Sequence, residues 1–297
     1  MSPSSRRYLI GYLSQLESCH TPSDVHDRAA DWLWHNRRRV SRVARELNQD
    51  LKLEGKKRFR GHIPTLAVGA LDGTVLFSAN PGFNERSNAR EEKFRALSRH
   101  LNRDFGRYFF KLYPRKVGGN AWWSRALDVS YLIQTGNELR LPVKKRWQWA
   151  AAQGSLASGG YAALGNFDLV PFHSTKDGFS TKPARTRTQR ALLKIALATL
   201  RLALRIEPRP RLLLVASKGG KQLVESNLTQ LGLTRRNAEY PPPYGGYLSV
   251  YDQRRTGRTL VCFGAQIFAN NFTRKLPENF SWTGLAEQLR PLANPPY

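Results

Sequence analysis

The chain has 297 residues and carries 48 Lys and Arg against 22 Asp and Glu, a formal net charge of +26 with a sequence pI near 10.7. At 40% hydrophobic and 11% aromatic it has enough apolar material for a sizeable core, and its dispersed Pro and Gly exclude a low-complexity or collagen-like chain. Two cysteines, Cys19 and Cys262, exclude a disulfide framework and a Cys-rich zinc site and suit a reducing compartment, while the charge excess seeks a polyanion.

Met1 to Leu9 holds two arginines with no apolar run after them, which is not the pattern of a signal peptide. Tyr8 to Leu16 is short and amphipathic. Thr21-Pro22-Ser23-Asp24 then offers a helix start, and the periodicity predicts one helix from about Ser23 to Leu51, with Val25, Ala29, Trp32, Leu33, Val40, Val43 and Leu47 roughly on one stripe. Its other faces are basic. Arg37, Arg38, Arg39, Arg42 and Arg45 suit the tracking of phosphates, against the plainer reading of a solvated face. Lys52 to Gly61 reads as a charged turn or linker, so residues 1–60 form a basic N-terminal helical extension and 61–297 an α/β domain.

From Ile63 the pattern changes to short apolar strands alternating with helices. Leu66–Leu71 and Thr74–Ser78 flank Asp72-Gly73, which predicts a hairpin leading into a core strand. A helix is expected over Ala89–Phe105, a loop with Gly118-Gly119 over Tyr113–Trp123, and a helix over Ser124–Leu132. Further strands are expected at Asn166–Pro171, Arg211–Ala216, Leu248–Tyr251 and Thr259–Gly264, with a long helix at Thr186–Ile206 between the first two. The apolar part of that helix is interrupted by Lys194, Arg201 and Arg205 and is shorter than the roughly 20 residues of a bilayer span. The expected fold is α/β, a three-layer sandwich around a central, mostly parallel sheet of four or five strands.

In such sheets ligands bind beyond the carboxyl ends of the strands, so the strand ends carry the chemistry. The first is Val75–Ser78 running into Ala79-Asn80-Pro81-Gly82-Phe83-Asn84, a polar turn that is either a plain turn or a polar side chain delivered into a cleft. The second is Phe167–Pro171 ending in Phe172-His173-Ser174, where His173 is either a structural histidine or a functional one. The third, Leu212–Ala216, enters Ser217-Lys218-Gly219-Gly220-Lys221, whose amides and lysines suit a phosphate; it lacks Walker spacing, which argues against nucleotide hydrolysis. The fourth, Leu260–Phe263, continues through Gly264, Gln266, Phe268, Asn270 and Asn271, a set able to wedge into a duplex and contact bases.

Over residues 63–275 these four strand ends resemble the uracil-DNA glycosylase superfamily, and Asn80-Pro81-Gly82 looks like the first motif of its mismatch-specific uracil and thymine branch. The resemblance implies that Asn80 orients the hydrolytic water at the sugar C1′. Pro81, Gly82, Phe83 and Asn84, with Phe172, His173 and Ser174, would line the base pocket. Ser217 to Lys221 would grip phosphate, and Gln266, Phe268, Asn270 and Asn271 would belong to the wedge loop; Arg37, Arg38 and Arg42 would add to the DNA grip. The chain departs from the pattern at the second motif, where Phe263-Gly264-Ala265-Gln266 replaces the His-Pro-Ser of uracil-specific members. Those members also carry a tyrosine after the proline, where Gly82 leaves room for a C5 substituent. In these respects the chain looks like bacterial anti-phage glycosylases that excise glucosylated hydroxymethylcytosine.

The function expected from the sequence is thus a monofunctional DNA glycosylase acting on a flipped, modified pyrimidine in duplex DNA. It would be a cytoplasmic monomer using neither metal nor cofactor and no membrane. Paired carboxylates at nuclease spacing are not evident among Asp104, Asp128, Glu138 and Asp168, and the two distant cysteines exclude a zinc deaminase. A uracil or mismatch repair glycosylase and a non-catalytic nucleic-acid binder are the alternatives.

Overall fold

A computed structural model describes residues 1–79, 81, 85, 88–89, 91–93, 121–137, 164–175, 185–264, 268 and 277–293. In chain order the elements are α1 (Pro3–Ser18), a π-turn (Asp24–Ala29) leading into α2 (Ala30–His35), α3 (Arg37–Asp50), β1 (Ala67–Gly69), β2 (Thr74–Ser78), α4 (Ala121–Thr135) and β3 (Leu164–Asp168). There follow α5 (Arg187–Arg205), β4 (Leu212–Ala216), α6 (Lys218–Glu225), α7 (Leu228–Leu231), β5 (Leu233–Arg235), β6 (Leu248–Gln253), β7 (Thr259–Phe263) and α8 (Trp282–Ala293). No helix among the described residues is long and apolar enough to cross a membrane.

The fold is mixed α/β with a seven-stranded sheet in the order β1-β3-β2-β4-β7-β6-β5. β2 pairs parallel with β4 (Leu76 opposite Leu214) and β4 with β7 (Val215 opposite Cys262). The bonds from Leu169 N–H to Ser78 and from Val170 N–H to Ala79 run in the same parallel sense, so β3, β2, β4 and β7 form a parallel centre. The edges are antiparallel: β6 against β7, β5 against β6, and β1 against β3 through Asp168 N–H to Leu66 (2.8 Å) and Ala70 N–H to Leu164 (3.0 Å). The sheet is therefore wider than the four or five strands expected: all six segments read as strands join it, and the three-residue β5, too short to give a sequence signal, is added at one edge.

The expected hairpin at Asp72-Gly73 does not form as a paired unit, since β3 lies between β1 and β2. The turn is instead bonded to the start of β4, where Arg211 N–H donates to the carbonyls of Asp72 and Gly73. β3 fits against β1 only because Gly165 has no side chain: a Cβ there would collide with the Ala70 carbonyl oxygen. Gly165→Ala is expected to lower stability by about 2 kcal/mol through this overpacking, visible as a melting point several degrees lower; an unchanged melting point would count against the β1–β3 register.

The chain divides into two compact units, Met1–Val68 with Ser78–Arg107 and Phe167–Glu207, and Gly69–Phe77 with Tyr108–Asn166 and Pro208–Tyr297. Residues 1–60 thus share a unit with later segments of the chain. In the first unit α1 begins at an N-cap, Ser2 Oγ accepting from Ser5 N–H, with proline in its first turn, and buries Tyr8, Leu9, Tyr12 and Leu16 at helical spacing. α1 lies alongside α5. Near its start Asp50 of α3 takes the Thr188 hydroxyl at 2.7 Å, and at its end the Arg205 guanidinium donates to the carbonyls of Leu16 and Glu17, both at 2.6 Å. The helix expected unbroken from Ser23 to Leu51 is interrupted at Asn36, whose side-chain amide and N–H both bond the Trp32 carbonyl. An asparagine that binds the preceding turn competes with the helical ladder.

In the second unit alternate residues of the parallel strands separate onto two faces. Leu76, Leu212, Leu214, Val261 and Phe263 join a core with Leu127 and Ile133 of α4 and Leu285 and Leu289 of α8. Leu213, Val215, Leu260 and Cys262 face the other way and are equally buried, α6 resting there so closely that Gly220 abuts Val215 Cγ1. Burial on both faces explains the uninterrupted apolar run of β4.

Candidate strand-end site and basic surface

The four central parallel strands lie in the order third, second, fourth, seventh along the sheet. The connection leaving β2 goes to one side and the connection from β3 to β4 passes to the other. β2 and β4 therefore flank the point where the winding of the sheet reverses. The residues that follow β2 are Ala79, Asn80 and Pro81.

In the first unit this turn is fastened to the end of β3. Ser78 and Ala79 carbonyls accept from Leu169 and Val170 N–H (2.9 and 3.1 Å), and the Pro81 carbonyl accepts from Ser174 N–H (3.1 Å). Two of the expected site segments are thus brought together. Asn80, Gly82, Phe83 and Asn84 lie outside the described residues, as do Gln266, Asn270 and Asn271.

His173 stands between these segments, 4% exposed, and is fully engaged. Its Nε2 lies 3.1 Å from the Ile63 carbonyl and 3.2 Å from Thr65 Oγ1, and its Nδ1 lies 3.4 Å from the Asn88 side-chain nitrogen. A carbonyl can only accept, so Nε2 carries the proton and Nδ1 accepts from Asn88, which defines a neutral tautomer. Its backbone carbonyl also accepts from Arg60 N–H at 2.8 Å. Of the two readings of this residue, these bonds describe a histidine that ties strand ends together. Asn88 in turn reaches the buried Glu91 carboxylate at 3.4 Å, and Glu92 receives His62 Nδ1 and Ile63 N–H at 2.8 and 3.0 Å. This acidic, amide-bearing neighbourhood was not singled out in the sequence, where the chain from Ala89 reads simply as a helix.

Phe172, expected to line a base pocket, is fully buried, its ring centroid 5.6 Å from that of Phe59 and 6.3 Å from that of Tyr8. Ser174 is 2% exposed. Both are core residues of the first unit, because the segment after β3 turns under α1 rather than out to solvent.

In the second unit, Ser217 caps α6 by accepting from Gly220 N–H at 3.0 Å, and Gly220 has no room for a side chain between Ser217 Oγ and Val215. Lys218 is exposed, and Gly219 is half-buried. Lys221 stretches toward Gly264 at the end of β7, where a Cβ would stand 3.9 Å from its Nζ, and it lies 4.0 Å from the Glu225 carboxylate. The third and fourth expected strand ends are therefore adjacent, with a lysine joining them.

Phe268 does not serve as a free wedge. It is 1% exposed, its ring stacked near Trp282 (6.3 Å) and edge-on to Trp122 (5.6 Å), and its carbonyl accepts from Arg125 at 3.2 Å. An aromatic ring among tryptophans gains more from core packing than from exposure.

On α3, burial of Val40, Val43, Ala44 and Leu47 turns Arg38, Arg39, Arg42 and Arg45 outward. Arg37 is half-buried, its guanidinium 4.3 Å above the Trp34 ring and donating to the Trp34 carbonyl at 3.0 Å. The acids of this helix are occupied elsewhere: Glu46 accepts from Ser2 N–H and Oγ, which with the chain's ammonium hold it below the usual carboxylate range, and Asp50 pairs with Met1 and Thr188. The outer face of α3 is left cationic.

Neither cysteine is a nucleophile. Burial pushes the Cys19 thiol up to about 11 and Cys262 higher still, so both remain protonated at neutral pH. No group of three or more His, Cys, Asp or Glu among the described residues is arranged to hold a metal ion. No protein-family model, curated protein or solved structure matches this chain.

Proposed function

We propose that this protein is a monofunctional DNA glycosylase that flips a modified pyrimidine out of duplex DNA and hydrolyses its N-glycosidic bond, acting on C5-modified cytosine such as the glucosylated hydroxymethyl form. One observation carries the reading: Asn80-Pro81-Gly82 follows β2 after the single residue Ala79, and β2 is one of the two strands flanking the reversal of a parallel sheet's winding, in a chain of net charge +26. The charge supplies the grip that offsets unstacking, which costs a few kcal/mol.

In the proposed reaction the C1′–N bond breaks with its electron pair leaving on the base. Positive charge develops on the sugar, and a water held by the Asn80 side-chain amide adds to C1′ and loses its proton to solvent. An amide orients water but is a poor base, so turnover is slow. With no lysine joined to the sugar, the product is an abasic site in an unbroken strand. Gly82 removes the side chain that would otherwise stand beside the base C5 and so admits a substituent there.

The deciding experiment incubates the protein with unmodified, uracil-containing, hydroxymethylated and glucosylated duplexes, then reveals abasic sites with mild alkali. Cleavage confined to the C5-modified duplexes is the expected result. Release from uracil alone would overturn the modified-base assignment in favour of a repair glycosylase, and release from none would leave a non-catalytic binder.

A further inference from the structure

The first unit contains a second cationic feature, a cleft of about 300 Å³ between α1 and α5. Its floor is aliphatic, formed among others by Leu9, Leu13 and Ile195, and its rim carries Arg6, Arg187, Arg190 and Lys194. The four rim cations are exposed, and among the described residues none of them pairs with a carboxylate. No Asp or Glu lines the cleft; nearby Asp50 is taken by the Met1 ammonium at 2.7 Å.

The cations are placed by helix geometry. At about 100° per residue, Arg187, Arg190, Lys194 and Arg201 fall on one stripe of α5, opposite the buried Leu192, Ala196, Thr199 and Ala203, and the helix contains no acidic residue along its 19 positions. Its first turn also presents the positive end of the macrodipole. A groove of one charge sign with low-dielectric walls focuses its field outward and attracts an extended counter-ion more strongly than the same charges on a flat surface.

The position of the cleft favours a polynucleotide over a membrane. α5 connects two parallel strands, so it starts at the carboxyl edge of the sheet, the edge at which the Ser78–Pro81 turn and Ser174 meet in the same unit. From Arg187 to Lys194 the helix advances about 10 Å, close to three nucleotide steps at roughly 3.4 Å each. The floor is concave and aliphatic, which suits sugar faces and arginine stems; Ile10, 57% exposed, is the large apolar side chain left open at its border.

We propose that the α1/α5 cleft is a backbone seat for the DNA strand flanking the nucleotide presented after β2, its ligand being consecutive phosphates held by Arg6, Arg187, Arg190 and Lys194. This rests on the polynucleotide part of the proposed function and not on base excision.

The test measures binding of an unmodified 30-base-pair duplex by fluorescence anisotropy between about 50 and 200 mM salt, where each neutralised phosphate contributes about 0.9 to the slope of log affinity against log salt. The triple variant Arg187→Gln, Arg190→Gln, Lys194→Gln is expected to lose about two to three units of slope and at least tenfold in affinity at the lower salt. A control removing equal charge from exposed positions of the second unit, Arg209→Gln, Arg235→Gln and Arg255→Gln, is expected to change the slope by less than about one. Circular dichroism and melting confirm that both variants fold, and single substitutions replace any triple that does not.

An unchanged slope in the cleft variant overturns the proposal, as does an equal loss in the control, which would mean diffuse attraction. Loss of binding to anionic phospholipid vesicles with DNA binding intact would also overturn it, identifying a membrane surface instead. Because the duplex is unmodified, failure of base excision leaves this measurement informative, and failure of the cleft leaves the excision experiment untouched.

Discussion

Replacing Asn80 with alanine is expected to reduce base release from the C5-modified duplex at least about 100-fold, the usual consequence of removing one preorganised polar group from a reacting centre. The dissociation constant for the same duplex is expected to stay within about twofold, because phosphate contacts supply most of the affinity of so basic a chain. Single-turnover release measured beside anisotropy separates the two quantities. Equal losses in rate and affinity would make Asn80 a binding residue. Release at the wild-type rate would remove it from the chemistry, and with it the reason for placing the reaction at the end of β2. Asn80→Asp sharpens the result: a carboxylate still orients water and accepts a proton, so it is expected to retain more activity than alanine does.

His173→Leu is expected to destabilise the protein by about 3 kcal/mol, with a lower midpoint in urea and little change in slope. The imidazole bonds the Ile63 carbonyl, the Thr65 hydroxyl and the Asn88 amide at the end of β3. Leucine has similar bulk, so the cavity cost is small and the loss reports unpaired buried polar groups, about 1–3 kcal/mol for each group left unsatisfied. A change under about 0.5 kcal/mol would show that these groups find other partners. His173→Gln is expected to recover part of the loss, since its amide can donate to Ile63 while its oxygen accepts from Asn88. A histidine acting chemically on substrate would instead lose activity at unchanged stability, so the pair of variants distinguishes the two roles.

The central part of the fold was legible because strong, local signals agree there. Leu212 to Ala216 is an apolar run too short for a helix, and it is the central strand β4. Thr186 with Gln189 three residues on forms the capping box that starts α5, both reciprocal bonds being present. Asn80-Pro81 follows a strand end as expected, and its fastening to Ser174 joins two segments that the sequence could place only separately.

The misreadings share a physical cause. Asp72-Gly73 is a good turn in isolation, but the choice of partner for β2 depends on β3, almost 90 residues later, and on a glycine that lets β1 come close. Phe172 and Phe268 read as rings near strand ends, and whether such a ring meets solvent or a neighbouring aromatic is settled only when Tyr8, Phe59, Trp122 and Trp282 arrive from distant segments. Lys194 read as an interruption of an apolar helix and Arg187 and Arg190 were not singled out, and the three face Arg6 across a cleft only because α1 lies beside α5.

By itself the amino-acid order determined the charge, the strand and helix types at the centre of the chain, the helix starts and the polar turns at strand ends, because these follow from propensity, periodicity and neighbours within a few positions. Tertiary structure alone decided which strands are neighbours, which rings are core, how His173 is protonated and where cations converge. Each of those depends on contacts between residues far apart in sequence, whose energies no local pattern contains.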